Sequence, residues 1–148
     1  MSAVTTLVRV EPQTRRYDGV DALLADARSR LERITPRAAF QELVAVEGAV
    51  IVDIRPAAQR AAEGEVASWL PVLVIERNVL EWRFDPRSEA RIPEASYDAR
   101  VIVLCQEGYT SSLAADALQS IGIHRATDVV GGFAAWRAAG MPVDGVAA

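Results

Sequence analysis

Lysine is absent from this 148-residue sequence, and cysteine and histidine occur once each. Without lysine, no step of the chemistry can run through a lysine Schiff base. A single cysteine cannot form an internal disulfide, which fits a reducing compartment such as the cytoplasm. One cysteine and one histidine are also too few to complete a closed metal site, so we expect no bound metal.

Long apolar runs and basic clusters are missing as well. The longest purely apolar stretches, such as residues 69–75, are far shorter than the roughly 18 to 20 residues of a membrane helix. The N-terminus has no basic segment followed by an apolar core. The net charge is −4, and the 16 basic residues, all arginines, form no dense cluster. We therefore expect no membrane or nucleic-acid partner and a cytoplasmic location.

The apolar residues that are present form short runs. Hydrophobic residues make up 51% of the chain, enough for one well-cored domain. Short runs rich in β-branched residues are typical of strands covered on both faces in a parallel sheet. Helical or loop segments separate the runs, and strands alternating with helices predict an α/β fold. The predicted strands are residues 49–54, 72–75, 101–104 and 127–130.

Three- and four-residue spacing of apolar side chains marks the predicted helices. Residues 1–32 contain one such stripe, and we interpret them as an N-terminal extension with an accessory helix. Thr35 and Pro36 then supply an N-cap and a first-turn proline for the next helix, which belongs to a main domain over residues 33–144. The stripes are Val20, Leu23, Leu24, Ala27 and Leu31; Ala39, Phe40, Leu43 and Val44; Leu113, Ala114, Ala117, Leu118 and Ile121; and Phe133 and Trp136.

Cys105 directly follows a predicted buried strand, and the segment from Cys105 to Ser112 leads into a helix. In an α/β sheet, ligands bind in the crevice beyond the carboxyl ends of the strands. A tight loop that opens a helix directs main-chain N–H groups to its centre, and these groups favour a thiolate. Gly108 lets the loop curl, and the hydroxyls of residues 110–112 can cap the helix or donate to a bound anion. A free cysteine here can equally be a small buried hydrophobic side chain, so the loop alone leaves both interpretations open.

Three further segments occur in the order found in a known family. Val52-Asp53-Ile54-Arg55 is similar to an Asp-x-Arg strand end, and residues 64–66 stand in the place of a Gly-His-Ile segment. Residues 130–136, with Gly140–Val143, are similar to a C-terminal signature. Together with the cysteine loop, these segments resemble the rhodanese family over residues 33–144.

The resemblance implies both a fold and an activity. The fold is a doubly wound, mainly parallel sheet of about five strands with helices on both faces. The activity is that of a sulfurtransferase, which carries sulfane sulfur as a persulfide on Cys105 and passes it to a thiophilic acceptor. Its partners would be a small-molecule sulfur donor and a thiol or other acceptor, including a protein, and no cofactor is needed. The residues expected to bind substrate are Gln106, Glu107, Gly108, Tyr109, Thr110 and Ser111.

Two residues of the loop depart from the family pattern. Family members often end the loop on a basic residue that attracts thiosulfate, whereas this chain has Thr110 there and Glu107 within the loop. A carboxylate repels an anionic donor, which argues against thiosulfate as the natural sulfur source. Related phosphatases use a loop one residue longer that ends on arginine, and neither feature is present.

Five other side chains are candidates for a functional or a structural role. Asp53 and Arg55 follow a strand and can orient the cysteine loop or approach the substrate. Such residues also commonly tie neighbouring loops together, and we favour this structural role. Arg77 or Arg83 can return the positive charge missing at position 110 if their segment folds over the crevice; otherwise they are surface arginines. His124 lies a helix away from the cysteine, some 15 Å at ~1.5 Å per residue, and is interpreted as a turn histidine.

The principal alternative function belongs to a different class of protein. It is a noncatalytic rhodanese-like module that binds a partner or senses redox state through Cys105. A sulfurtransferase gains the mass of one sulfur atom on incubation with a donor and loses transfer after Cys105→Ser. A binding module does neither.

Overall fold

A parallel sheet lies at the centre of the computed structural model, which describes residues 14–144. In chain order the strands are β1 (Val50–Asp53), β2 (Glu65–Val66), β3 (Val72–Val74), β4 (Val101–Leu104), β5 (Thr127–Asp128) and β6 (Val143–Asp144). The central sheet has the order β3-β1-β4-β5 with every pair parallel, while β2 and β6 form a separate antiparallel pair. The carboxyl ends of β1, β4 and β5 therefore lie at the same edge of the sheet.

Alternation along the strands divides the core between the two faces of the sheet. Ile51 is paired with Ile102 on one face, and Val52 is paired with Val103 on the other. All four side chains are fully buried. Because both faces are covered, the strands read as continuous apolar runs in the sequence rather than as alternating ones.

Helices cover both faces, which confirms the predicted α/β class. They are α1 (Val20–Ser29), α2 (Pro36–Ala45), α3 (Ala57–Glu63), α4 (Leu80–Phe84), α5 (Thr110–Ser120) and α6 (Gly132–Ala138). Buried residues of α4 and α5 pack on the face of Val52, and those of α2 and α6 pack on the face of Ile51. Within residues 14–144, no helix is long and apolar enough to cross a membrane.

The central sheet has four regular strands rather than about five. Ile34 forms a single parallel bridge to Val129, immediately after β5, where a further strand would lie. The pairing stops there because the chain turns at once into α2. The Thr35 side chain accepts a hydrogen bond from the N–H of Ala38 at 3.1 Å, and Pro36 is the first helical residue, as predicted.

The predicted accessory helix corresponds to α1, which packs against α5. Leu24 and Ala27 are buried, while Leu31 lies after the end of the helix and joins the core as well. The first 13 residues of the predicted extension lie outside the described part of the chain. The division of the chain at residue 32 stays a prediction.

Candidate active site

Cys105 lies at the carboxyl end of β4 and begins the loop that leads into α5. Its Sγ accepts hydrogen bonds from the N–H of Gly108 at 3.2 Å and from the N–H of Ser111 at 3.4 Å. Ser111 belongs to the first turn of α5, so the positive end of the helix dipole also faces the sulfur. Only 4% of the residue is exposed. Main-chain N–H donors in a site that is largely shielded from water stabilise negative charge on the sulfur.

The start of α6 holds the cysteine loop from behind. The N–H of Phe133 donates to the carbonyl of Cys105 at 2.8 Å, and the N–H of Ala134 donates to the carbonyl of Gln106 at 3.0 Å. The approach requires glycine, since a Cβ on Gly132 would lie 2.4 Å from the Cys105 carbonyl oxygen. With these carbonyls turned outwards to α6, the loop presents N–H groups on its inner side.

Arg55 joins several segments around the loop. Its guanidinium donates hydrogen bonds to both carboxylate oxygens of Asp53, at 3.0 and 2.7 Å. It also donates to Gln106 Oε1 at 2.9 Å and to the Gly64 carbonyl oxygen at 2.8 Å. It also lies 4.2 Å above the ring of Phe133. Arg55 and Asp53 are both buried, and their hydrogen bonds go to one another and to the neighbouring loops. These contacts are those of residues that tie loops together.

Asp128, at the end of β5, is a buried carboxylate that the sequence did not single out. It accepts hydrogen bonds from the hydroxyls of Ser111 at 2.7 Å and Ser112 at 2.8 Å, and from Arg33 Nε at 2.9 Å. These two hydroxyls therefore do not cap α5, which was one of the two roles that the sequence allowed. Tyr109 occupies the N-cap of α5, and no side chain caps this end because both serines turn towards β5. The available signal was a charged residue ending a buried strand beside the cysteine strand.

Two arginines from the N-terminal part of the chain also reach the loop. Arg28, in the last turn of α1, and Arg33 donate to the carbonyl oxygen of Gly108 at 2.7 and 2.9 Å. They precede Gly108 by 80 and 75 residues. No local pattern could have identified them, because the contact depends on how α1 packs against α5.

A cleft of about 490 Å³ opens above Cys105. Glu107, Tyr109 and Thr110 are exposed at its rim. Arg77 borders the cleft, so its segment does lie beside the crevice. Its guanidinium, however, forms an ion pair with Glu81 at 2.8 Å. The complete lining is Ile54, Arg55, Pro56, Gln59, Arg77, Cys105, Gln106, Glu107, Tyr109 and Thr110.

Arg83 and His124 lie elsewhere. Arg83 does not border this cleft; it donates to the carbonyl of Ala90 at 3.1 Å. His124 is exposed and its Nε2 lies 3.0 Å from Asp98 Oδ1. Neither side chain borders the cleft at Cys105, whose charged lining residues are Arg55, Arg77 and Glu107.

The fold and the loop together define a single α/β unit built around one cysteine at the carboxyl edge of its sheet. The chain belongs to the rhodanese-like domain family, whose sequence model matches residues 15–139. This membership confirms the family that the cysteine loop and its flanking motifs indicated.

Several relatives are sulfurtransferases by name. The chain is 37% identical over 111 residues to thiosulfate sulfurtransferase GlpE of Pseudomonas putida, a match covering 74% of this chain and 88% of that protein. It is 32% identical over 112 residues to GlpE of Actinobacillus pleuropneumoniae, covering 75% and 91% of the two chains. The adenylyltransferase and sulfurtransferase MOCS3-2 of Zea mays is 34% identical over 95 residues, covering 64% of this chain. The match spans only 18% of the maize protein.

Solved structures share the fold. A Rhodopseudomonas palustris protein of unknown function, described as a possible tyrosine phosphatase, superposes with a TM-score of 0.77 at 29% identity. That match covers 97% of this chain and all of the other. The polysulfide-sulfur transferase of Wolinella succinogenes superposes with a TM-score of 0.69 at 19% identity, over 83% of this chain and 85% of that one. At this identity the second likeness concerns the fold alone.

Proposed function

We propose that this protein is a sulfurtransferase that carries sulfane sulfur as a persulfide on Cys105. The observation that carries the proposal is the position of Cys105 Sγ, which accepts two main-chain N–H groups in a loop open to a cleft. A nucleophilic cysteine needs stabilisation of its thiolate, and the same donors can hold the charge of a persulfide. Relatives named as sulfurtransferases support the same chemistry.

The proposed reaction has two nucleophilic steps. The Cys105 thiolate attacks the outer sulfur of a donor R–S–SH, a new S–S bond forms, and the old one breaks with its electron pair leaving on R–S⁻. The hydrogen stays on the transferred sulfur, which gives a Cys105 persulfide. A thiolate acceptor then attacks that outer sulfur, takes it away and releases the Cys105 thiolate. No net oxidation occurs, so the transfer needs no redox cofactor.

The charges around the cleft favour a donor other than thiosulfate. Glu107 is exposed at the rim, and the Arg77 guanidinium is already paired with Glu81. An organic persulfide carries at most one negative charge on its sulfur atoms, so it meets less repulsion there than a doubly charged anion such as thiosulfate. A small thiol or a protein thiol is the proposed acceptor, and such acceptors are plentiful in a reducing compartment such as the cytoplasm.

Mass spectrometry of the intact protein tests the proposal directly. The protein is incubated separately with thiosulfate, an organic persulfide and mercaptopyruvate, and its mass is followed with time. We expect a gain of one sulfur atom with the persulfide, reversed by cyanide or a thiol, and no gain in Cys105→Ser. If no donor modifies Cys105, the enzyme assignment falls and the noncatalytic binding or redox-sensing module remains.

The same preparation distinguishes sulfur transfer from phosphatase activity. Aryl phosphate hydrolysis is measured because a structural neighbour is described as a possible tyrosine phosphatase. We expect no turnover, since Thr110 and Ser111 stand at the end of the loop where an arginine would bind the phosphate. Hydrolysis that is lost in Cys105→Ser would replace the sulfurtransferase proposal.

A further inference from the structure

We propose that Arg28 and Arg33 are positioning residues for sulfur transfer, which fix and polarise the peptide between Gly108 and Tyr109 in the cysteine loop. This inference rests on the proposed function and assigns a role to the N-terminal part of the chain. Both guanidinium groups act through the loop backbone, and neither donates a hydrogen bond to Cys105. The observation that carries the inference is their convergence on one carbonyl oxygen.

The two arginines approach that oxygen from different segments. Arg28 Nη2 lies 2.7 Å from the Gly108 carbonyl oxygen, and Arg33 Nη2 lies 2.9 Å from it. Arg28 Nε also donates to Ser112 Oγ at 3.1 Å, and its guanidinium lies 5.5 Å from the centre of the Tyr109 ring. One carbonyl oxygen therefore accepts two charge-assisted hydrogen bonds, which are stronger than bonds between neutral groups.

The orientation of this peptide determines where the next N–H points. The described chain has no cis peptide bonds, and in a trans peptide the C=O and the following N–H point in opposite directions. Since the Gly108 carbonyl is held towards the arginines, the Tyr109 N–H is directed to the other side of the peptide. Tyr109 lies between Gly108 and Ser111, whose N–H groups both donate to Cys105 Sγ. A Tyr109 N–H on the same side of the loop as these two groups would donate to the outer sulfur of a persulfide.

Two cations on the oxygen also change the donor strength of the peptide. They draw electron density from the amide, which makes the Tyr109 N–H a stronger hydrogen-bond donor. The charge of Arg33 is neutralised by the buried carboxylate of Asp128, which accepts hydrogen bonds from Arg33 Nε at 2.9 Å and Nη2 at 3.2 Å. Among residues 14–144, Arg28 has no carboxylate within ion-pair distance. Its positive charge therefore acts on the loop without a paired carboxylate.

The placement of Arg28 is set by the packing of α1 on α5. Leu24 and Ala27 are buried there. Arg30 donates a hydrogen bond to each carboxylate oxygen of Asp116 in α5, at 2.7 and 2.8 Å. Arg30 thus lies at the same interface as Arg28 and carries the same charge, but its partners are Asp26 and Asp116 rather than the loop. It provides a matched control for any effect of the interface itself.

The test compares Arg28→Gln, Arg28→Lys and Arg30→Gln with the wild-type protein. Two rates are measured: the formation of the Cys105 persulfide in a single turnover with an organic persulfide, and the alkylation of Cys105 by the neutral reagent iodoacetamide. We expect Arg28→Gln to slow both rates about tenfold, because one charge-assisted hydrogen bond to the loop is lost. Arg28→Lys should restore most of each rate, and Arg30→Gln should leave both unchanged. Melting temperatures within a few degrees of one another show that all variants are folded.

Three results would overturn the inference. They are wild-type rates in Arg28→Gln, no recovery in Arg28→Lys relative to Arg28→Gln, and an equal loss in Arg30→Gln. If the wild-type protein accepts sulfur from no donor, the proposed function fails, but the alkylation rates still decide whether Arg28 acts on Cys105. Arg33→Lys extends the test, since it keeps a cation beside the buried Asp128 while removing the fork.

Discussion

Thr110 stands at the rim of the cleft with its side chain exposed, at the position where a basic residue would meet an anionic donor. We expect Thr110→Arg to raise kcat/KM for thiosulfate about fivefold. The reason is that a charge ~4 Å from an anion contributes about 1 kcal/mol in water. Glu107→Gln should act in the same direction by removing the repelling carboxylate. Steady-state kinetics with thiosulfate and cyanide measure both effects.

The control for added charge is Ser120→Arg. Ser120 is exposed at the far end of α5, so this variant adds the same charge to the same helix without placing it at the cleft. Its kcat/KM should equal that of the wild-type protein. Equal increases in Thr110→Arg and Ser120→Arg would mean that net charge, and not the charge at position 110, controls thiosulfate use.

Some residues of the site could be identified from a local sequence pattern, and others only from contacts made in the folded chain. Cys105 and Arg77 could be proposed from the sequence because each follows a strand whose carboxyl end opens onto the crevice. Arg28 could not, since its contact with the loop arises only when α1 packs on α5. Asp128 carried the signal of a charged residue in a strand, but its hydrogen bonds to α5 arise only when β5 pairs with β4. Hydrogen bonds between residues far apart in the chain carry no periodic signal in a single sequence.

At the level of elements, the contact between α6 and the cysteine loop depends on Gly132. Its φ is +61°, and an added Cβ would lie 2.4 Å from the Cys105 carbonyl oxygen and 2.7 Å from the Gln106 carbonyl carbon. Gly132→Ala must therefore displace the loop or the helix, and we expect a loss of about 3 kcal/mol in the free energy of unfolding. Urea denaturation measures the loss, and sulfur loading of Cys105 should fall with it.

Gly140→Ala separates steric overlap from backbone strain. Gly140 has a similar φ of +76°, but nothing lies within 4 Å of its added Cβ. Only the left-handed backbone should then cost free energy, roughly 1–2 kcal/mol. Equal destabilisation of Gly132→Ala and Gly140→Ala would contradict the close approach of α6 to the loop.

A second inter-element contact links α2 to the start of β4 and predicts a dependence on pH. Arg100 donates a hydrogen bond to each carboxylate oxygen of Glu42, at 2.8 and 2.9 Å. This pairing lowers the pKa of Glu42, although partial burial of the carboxylate acts to raise it. Because the pKa of Glu42 is lower in the folded than in the unfolded protein, the ion pair stabilises the fold at any pH above the pKa of the unfolded state. This stabilisation is lost as the pH falls through the pKa of the folded state. Glu42→Gln should therefore cost about 1 kcal/mol at neutral pH, and the difference should shrink below about pH 4.

Denaturation curves across this pH range test the ion pair. Glu47→Gln serves as the reference, because Glu47 is exposed just beyond α2 and forms no ion pair with any residue of the described chain. It should match the wild-type protein at every pH. A difference between Glu42→Gln and wild type that persists unchanged under acid would exclude the charge of Glu42 as the cause.

The elements that the sequence predicted well are those with a long or strongly apolar pattern. β4 and α2 begin where their signals place them, because a buried four-residue apolar run and a Thr-Pro cap leave few alternatives. The two-residue strands β2 and β6 gave no signal, since alternation cannot be seen over two residues. The same holds for α3, which has no buried residue and therefore no apolar stripe.

For the molecule as a whole, the packing of α1 determines whether this helix is an accessory to the domain or part of its cooperative core. The sequence favoured an accessory, since a stripe near the N-terminus does not say what it packs against. In the structure, α1 packs on α5, and Leu24 is 9% exposed whereas Leu23, on the same helix, is 38% exposed. These contacts predict that α1 unfolds together with the sheet.

Leu24→Ala and Leu23→Ala decide the matter as a matched pair. We expect Leu24→Ala to lower the free energy of unfolding by about 2–3 kcal/mol and Leu23→Ala by less than about 0.5 kcal/mol. The measurement is urea unfolding followed both by circular dichroism and by tryptophan fluorescence, to which the fully buried Trp136 of α6 contributes. If α1 belongs to the cooperative unit, both probes shift to the same lower midpoint with an unchanged m-value. A midpoint by fluorescence that stays at the wild-type value in Leu24→Ala would show α1 to be a separate element, and Arg28 could then leave the loop without unfolding the domain.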